Sequence, residues 1–236
     1  MARLLDYPEG LEFTDLQFLS GPRAINASAT ESIAGFIQTT ASPFGAWSFQ
    51  VTFPPLQGVI ARRHRGWIVG LQGGANATRF PFPDGDRMTP AEAGITGSVE
   101  SQPWGNGESW SNGKGWRATY PLVALDAPAA MGDSVIALAN TFWGWQLDVG
   151  SQIGLSPFYF GMHVVTEVIG DGRYRVWPPL RKAFDTDSYA TLAPTLAVRL
   201  TGLDAANIQR DAQAAQNMTA TFVEVFDYDV RDYFTE

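Results

Sequence analysis

The chain has 236 residues, long enough for one large domain or two small ones, and 45% of them are hydrophobic, which excludes a disordered polymer and points to a packed core. Sixteen basic residues against 24 acidic ones give a net charge of -8, which argues against a general nucleic-acid binder with a basic face. Cysteine is absent, so disulfides and thiolate metal sites are excluded, and no run approaches the ~18 apolar residues of a membrane helix.

Two further features bear on partners. Only 17% of the residues are charged, and 13% are aromatic. That balance fits either a surface largely covered by neighbouring subunits or a β-rich core. The N-terminus carries Asp6 and Glu9 where a signal peptide would be apolar, so synthesis in the cytoplasm without signal-directed export is expected.

In chain order, residues 1–32 are weakly patterned, with a short strand expected over Leu16–Leu19 and a turn at Ser20-Gly21-Pro22. A strand is expected over Ile33–Gln38. A stronger one covers Trp47–Phe53, where Trp47, Phe49, Val51 and Phe53 alternate with Ser48, Gln50 and Thr52. Strict alternation of this kind marks a strand with one buried face. Pro54-Pro55 ends it. Ile60, His64, Trp67, Ile68 and Leu71 then share one stripe at helical spacing, which predicts a helix over about 59–72. Arg62, Arg63 and Arg65 lie off that stripe, and Gly73-Gly74 stops the helix. Thr78–Phe82 reads as the return strand, and the helix stripe is expected to bury against the Trp47–Phe53 face.

From Pro83 to Trp116 turn residues dominate, and Trp104, Trp110 and Trp116 punctuate the loop. Long loops of this kind are usually functional. Short strands follow at Tyr120–Leu125 and Ser134–Ala139. The clearest hairpin of the chain is Val164–Ile169, Gly170-Asp171-Gly172 and Arg173–Trp177, closed by Pro178-Pro179. Its return strand puts Tyr174 and Val176 on one face and the arginines on the other. A strand over Leu196–Leu200 is expected to complete a small barrel with it. The Ala/Gln-rich stretch Asp204–Met218 reads as a short helix, Thr219–Phe226 as a strand, and Asp227–Glu236 as an acidic, aromatic tail containing Tyr233 and Phe234.

Candidate chemistry is sparse. The two histidines, His64 and His163, form no H-x-x-H or H-x-x-x-H pair, and both read as structural. The glycines of 150–172 lack the Lys-Ser/Thr of a phosphate loop. Asp126, Asp133 and Asp148 show no spacing that would place two of them across a glycosidase cleft. No catalytic residue, metal ligand or cofactor is expected. The three loop tryptophans suit either a partner contact, a cover over the core, or a sugar-stacking platform. The arginine cluster suits either an interface with acidic groups or a solvated helix face.

The segment WSFQVTFPPLQGVIARRHRGWIVGLQGGANATRFPF resembles a family of tailed-phage tail proteins, in which a strand ending F-P-P-L or F-P-P-M precedes a helix with an R-x-x-x-x-G-W-like core and a G-x-A/G-N segment. Val149-Gly150-Ser151-Gln152-Ile153-Gly154, Pro178-Pro179-Leu180-Arg181 and Arg199-Leu200 are similar to that family's G-D-x-I-x-I-G strand, P-P-L-R and terminal R-L, with Ser151 where the family often has Asp. The likeness spans most of 33–200 and leaves the Trp104–Trp116 loop without a counterpart. It implies a virion structural protein of the distal-tail or tail-tip kind, a self-assembling and commonly hexameric ring that joins tail tube to hub or baseplate, with no catalytic residues to transfer.

The expected fold is therefore mainly β (α+β): an antiparallel β-sandwich or barrel domain with one packed helix, formed by 1–118 with 201–236, and an inserted small β-barrel module over 119–200. The expected function is ring-forming tail structure, with Arg62, Arg63, Arg65, Trp104, Trp110, Trp116, Tyr233 and Phe234 as interface candidates and other tail proteins as further partners. The alternative is a carbohydrate-binding module that uses the tryptophan loop for host-surface attachment.

Overall fold

Phe49, Val51 and Phe53 are buried while Ser48, Gln50 and Thr52 are half-buried, so the alternation read from the sequence holds over 48–53, whereas Trp47, expected on the buried face, precedes the strand and is half-buried. The structure is a computed structural model and describes residues 3–21, 24–25, 40–41, 45–89, 91–92, 108, 111–112, 122–139, 146–157, 159–210 and 215–226. The expected strand Ile33–Gln38 lies outside the described residues, as do the three loop tryptophans and the C-terminal tail. The fold is mainly β, with two antiparallel-rich sheets and a single α-helix among the described residues.

The chain forms two compact units, residues 1–82 with 195–236 and residues 83–194. The first unit begins with β1 (Leu4–Asp6), β2 (Asp15–Ser20), the short ribbon β3 (Ala24–Ile25) and β4 (Thr40–Ala41), β5 (Ser48–Phe53), α1 (Gly58–Gly70) and β6 (Ala77–Pro81). The second unit supplies β7 (Val123–Ala124), β8 (Val135–Ala137), β9 (Gln152–Ser156), β10 (His163–Gly170), β11 (Arg173–Trp177) and β12 (Tyr189–Thr191). The chain then returns to the first unit as β13 (Thr195–Leu200), β14 (Ala206–Arg210) and β15 (Ala215–Glu224).

The first sheet runs β1-β6-β13-β15-β5-β2, with β14 also on β15. Only β1 with β6 is parallel. Its long strand β15 holds the sheet together: Met218–Val223 pair with β5, Phe222–Glu224 with β13, and Ala215–Ala220 with β14. Helix α1 covers this sheet through Trp67, whose ring meets Tyr7, Phe53 and Phe222 at 5.3, 6.2 and 5.7 Å between centroids. Ile60 and Ile68, expected in the core with Trp67 and Leu71, are half-buried, because the core-facing stripe of α1 is narrower and centres on His64, Trp67 and Leu71. The helix stops at Gly70. Gln72, Gly73 and Gly74 all take positive φ, and Asn76 Nδ2 donates to the Gly70 carbonyl at 2.7 Å while its Oδ1 accepts from Arg3 N–H at 2.8 Å. One buried amide thus caps the helix and pins β1 beside it.

The second sheet, β7-β12-β9-β10-β11-β8, is antiparallel throughout, and it closes on itself. Leu125 bridges Leu138, and Ala139 N–H donates to the Ala124 carbonyl at 2.9 Å, joining the first strand of the order to the last. Closure joins the two ends of the strand order and surrounds a core that includes Ile136, Ile153, Val165, Tyr174, Val176 and Leu180. The expected hairpin is present as β10 and β11, with Asp171 and Gly172 at φ 54° and 74°, and with Tyr174 and Val176 inside and Arg173 and Arg175 outside.

Two expectations are corrected. The strand expected over Leu196–Leu200 to complete the barrel is β13, Thr195–Leu200, and it lies in the first sheet between β6 and β15, with Leu196, Ala197 and Val198 fully buried; the unit boundaries accordingly fall at 82/83 and 194/195, not at 118/119 and 200/201. The Ala/Gln-rich stretch expected as a helix is instead strand β14 and the first part of β15, which pair with each other. Helix propensity there is outweighed by the backbone hydrogen bonds gained on a long central strand.

Candidate interface surfaces

The core-facing stripe of α1 fixes what the helix shows to water. Rotating 100° per residue away from His64, Trp67 and Leu71 brings Arg62, Arg65, Gly66 and Val69 to the outside, and all four are exposed. Val59 and Val69 are 51% and 69% exposed, an unusual load for one short helix. The helix contains no acidic residue. Arg63 sits on the flank, where its Nη1 donates to the Glu9 carbonyl at 2.8 Å. The structure therefore brings the three expected arginines together on one exposed helix, two of them on its outermost line. Trp104, Trp110, Trp116, Tyr233 and Phe234, the other expected contact residues, lie outside the described residues.

Inside the same helix, His64 is buried against Phe53, with ring centroids 4.8 Å apart, and its Nε2 has no hydrogen-bond partner. Burial holds its pKa down at about 4. His163, in the barrel, is fully buried too. Its Nδ1 lies 2.7 Å from the Pro178 carbonyl, which only accepts, so Nδ1 carries the hydrogen and Nε2 accepts from the Tyr159 hydroxyl at 3.1 Å. Burial lowers its pKa to about 4, more than the Pro178 hydrogen bond raises it. Both ring nitrogens of His163 are committed to internal bonds. The pair cross-links the chain after β11 to the start of β10, and this is a packing role, not an exposed base.

Sequence reasoning missed a surface of opposite sign. In the second unit a cleft of about 710 Å³ is lined by Asp84, Asp86, Glu92 and Asp148, with Arg87 and Val149 beside them. Local bonds shape each wall. Asp84 Oδ1 accepts from Asp86 N–H at 3.0 Å. Glu92 accepts from both the backbone and the hydroxyl of Thr89, at 2.7 and 2.8 Å, which holds its carboxyl below the usual range. Asp148 N–H donates to Ser151 Oγ at 3.2 Å, and Met88 packs on the barrel core, tying the 84–92 segment down. Of the three aspartates weighed from sequence, Asp148 alone lines this cleft. Asp133 instead closes its own turn by accepting from Ala130 N–H at 2.7 Å.

Among the described residues no group of three or more His, Asp and Glu is placed to hold a metal ion, and no helix is long and apolar enough to cross a membrane. The chemistry these surfaces offer is charge pairing and apolar contact. No protein-family model and no curated protein sequence matches this chain.

Proposed function

We propose that this chain is a virion structural protein, a ring-forming subunit of a phage tail of the distal-tail or tail-tip kind, joining the tail tube to hub or baseplate. The observation that carries the reading is the coupling in one chain of an open sheet, ending among the described residues at β1 and β2, with a closed barrel inserted between two of its strands. A closed barrel satisfies its own edges and makes a rigid module, whereas an open sheet with a helix on it keeps two unlike ends. Unlike surfaces on one subunit favour head-to-tail contacts, which close into rings when the rotation allows.

The motif residues that resemble tail proteins sit at the junctions of this architecture. Pro54-Pro55-Leu56 links β5 to α1, Ala75-Asn76 carries the chain from α1 into β6, Pro178-Pro179 follows β11, and Arg199-Leu200 ends β13. The role is scaffolding, without catalysis. Purified protein examined by negative-stain microscopy and light scattering should show closed rings. A chain that stays monomeric at every concentration, or that binds glycans as a monomer, would overturn the proposal.

A further inference from the structure

The outer face of α1 is basic and partly apolar, with Arg62 and Arg65 exposed on it beside Val59 and Val69. Arg62, Arg63 and Arg65 give the helix +3 with no acidic residue, so the rest of a chain of net charge -8 carries -11. The cleft of the second unit concentrates part of that excess: four carboxylates against Arg87 leave it at -3. The apolar parts match as well. Val59 and Val69 are exposed on the helix, and Val149, 60% exposed, stands at the cleft. Between Arg62 and Val69 the outer line of the helix is about 10 Å long at 1.5 Å per residue. Gly66 leaves that line without a side chain and with open space around it, with Arg62 and Arg65 before it and Val69 after it.

From this we infer that the occupant of the α1 outer face is a second copy of the chain, which receives Arg62 and Arg65 in its cleft between Asp84, Asp86, Glu92 and Asp148. The contact is head-to-tail: each copy gives its helix to one neighbour and its cleft to the other. It rests on the ring reading and names the contact that builds the ring. Complementary fields of this kind set register and partner choice, and like charges brought face to face cost several kcal/mol.

Charge exchange tests it. Two variants are made in the full chain, Arg62→Glu with Arg65→Glu, and Asp86→Lys with Asp148→Lys, and circular dichroism with thermal melting checks that each keeps its fold. Light scattering across concentration then reads assembly. Each variant alone should require on the order of 100-fold more protein to assemble. Mixed in equal amounts they should assemble again, because every helix then faces a cleft of opposite sign in an alternating order. Rescue by mixing, unlike rescue by combining all four changes in one chain, requires that the contact run between copies. If wild type forms rings and neither variant weakens them, or if mixing restores nothing, the helix–cleft contact is wrong and the ring reading stands. If wild type forms no rings, both fall.

Discussion

Trp67 Nε1 donates to Thr78 Oγ1 at 3.1 Å, and Thr78 Oγ1 in turn donates to the Leu5 carbonyl at 3.1 Å. A single chain of hydrogen bonds thus crosses from α1 through β6 to β1, inside the aromatic cluster of the first unit. Trp67→Ala removes a buried ring and leaves Thr78 without its donor, and should cost roughly 3–5 kcal/mol. Trp67→Phe keeps most of the ring and loses the bond, and should cost about 1–3 kcal/mol. Chemical denaturation followed by circular dichroism checks both, and equal midpoints for wild type and Trp67→Ala would place the ring outside the core.

The histidines make an acid limb. Each has a folded pKa of about 4 against an ordinary 6.5, so the unfolded chain takes up the proton first as pH falls. The stability contributed by the neutral rings is fully present above about pH 6.5 and is lost progressively as pH drops toward about 4. For His163 the loss is on the order of 3 kcal/mol. Ring proton resonances followed by NMR should stay in the neutral position from pH 8 to about 5. In the first unit His64→Leu should flatten the dependence of stability on pH across that window, and an unchanged slope would remove His64 as its source.

Two glycines should respond in opposite directions. Gly74 takes φ +99°, and a Cβ there would run into the Leu200 carbonyl oxygen, which belongs to the backbone and has nowhere to move. Gly74→Ala should cost at least about 2 kcal/mol. Gly66 is an exposed helix interior with open space around it, so Gly66→Ala should stabilise by about 0.5–1 kcal/mol. Differential scanning calorimetry of the two variants gives both signs in one experiment.

In the barrel, Tyr159→Phe leaves His163 Nε2 buried without a partner and should cost about 1–3 kcal/mol. Cavity formation is minimal in that change, so the loss reads the hydrogen bond. Melting of Tyr159→Phe beside wild type measures it, and a midpoint that does not move would show that the bond contributes nothing net.

Local pattern carried the elements that own their signal. Val164–Trp177 was legible because alternation and Gly170-Asp171-Gly172 act within one short segment, and α1 because its apolar stripe repeats over several turns. The arginines off that stripe were legible for the same reason. Strand β12 passed unnoticed since three residues, Tyr189–Thr191, are too few to show a period. β14 was misread because alanine and glutamine favour helices locally, and only the long neighbour β15 makes a strand preferable. The cleft left no trace in sequence at all: Asp84, Asp86 and Glu92 stand far along the chain from Asp148, and the folding of the second unit alone makes them neighbours.

Pro81, at the end of β6, and Thr195, at the start of β13, face each other in register on adjacent antiparallel strands. The chain therefore leaves the first sheet and comes back to it at nearly the same point. Viewed from that sheet, the whole second unit is the loop of a β-hairpin. A position of that kind is a natural graft site. Replacing 83–194 by another closed module, or by a tight turn, should therefore leave the strand order around β15 unchanged, so that what the chain displays could diversify on a constant frame.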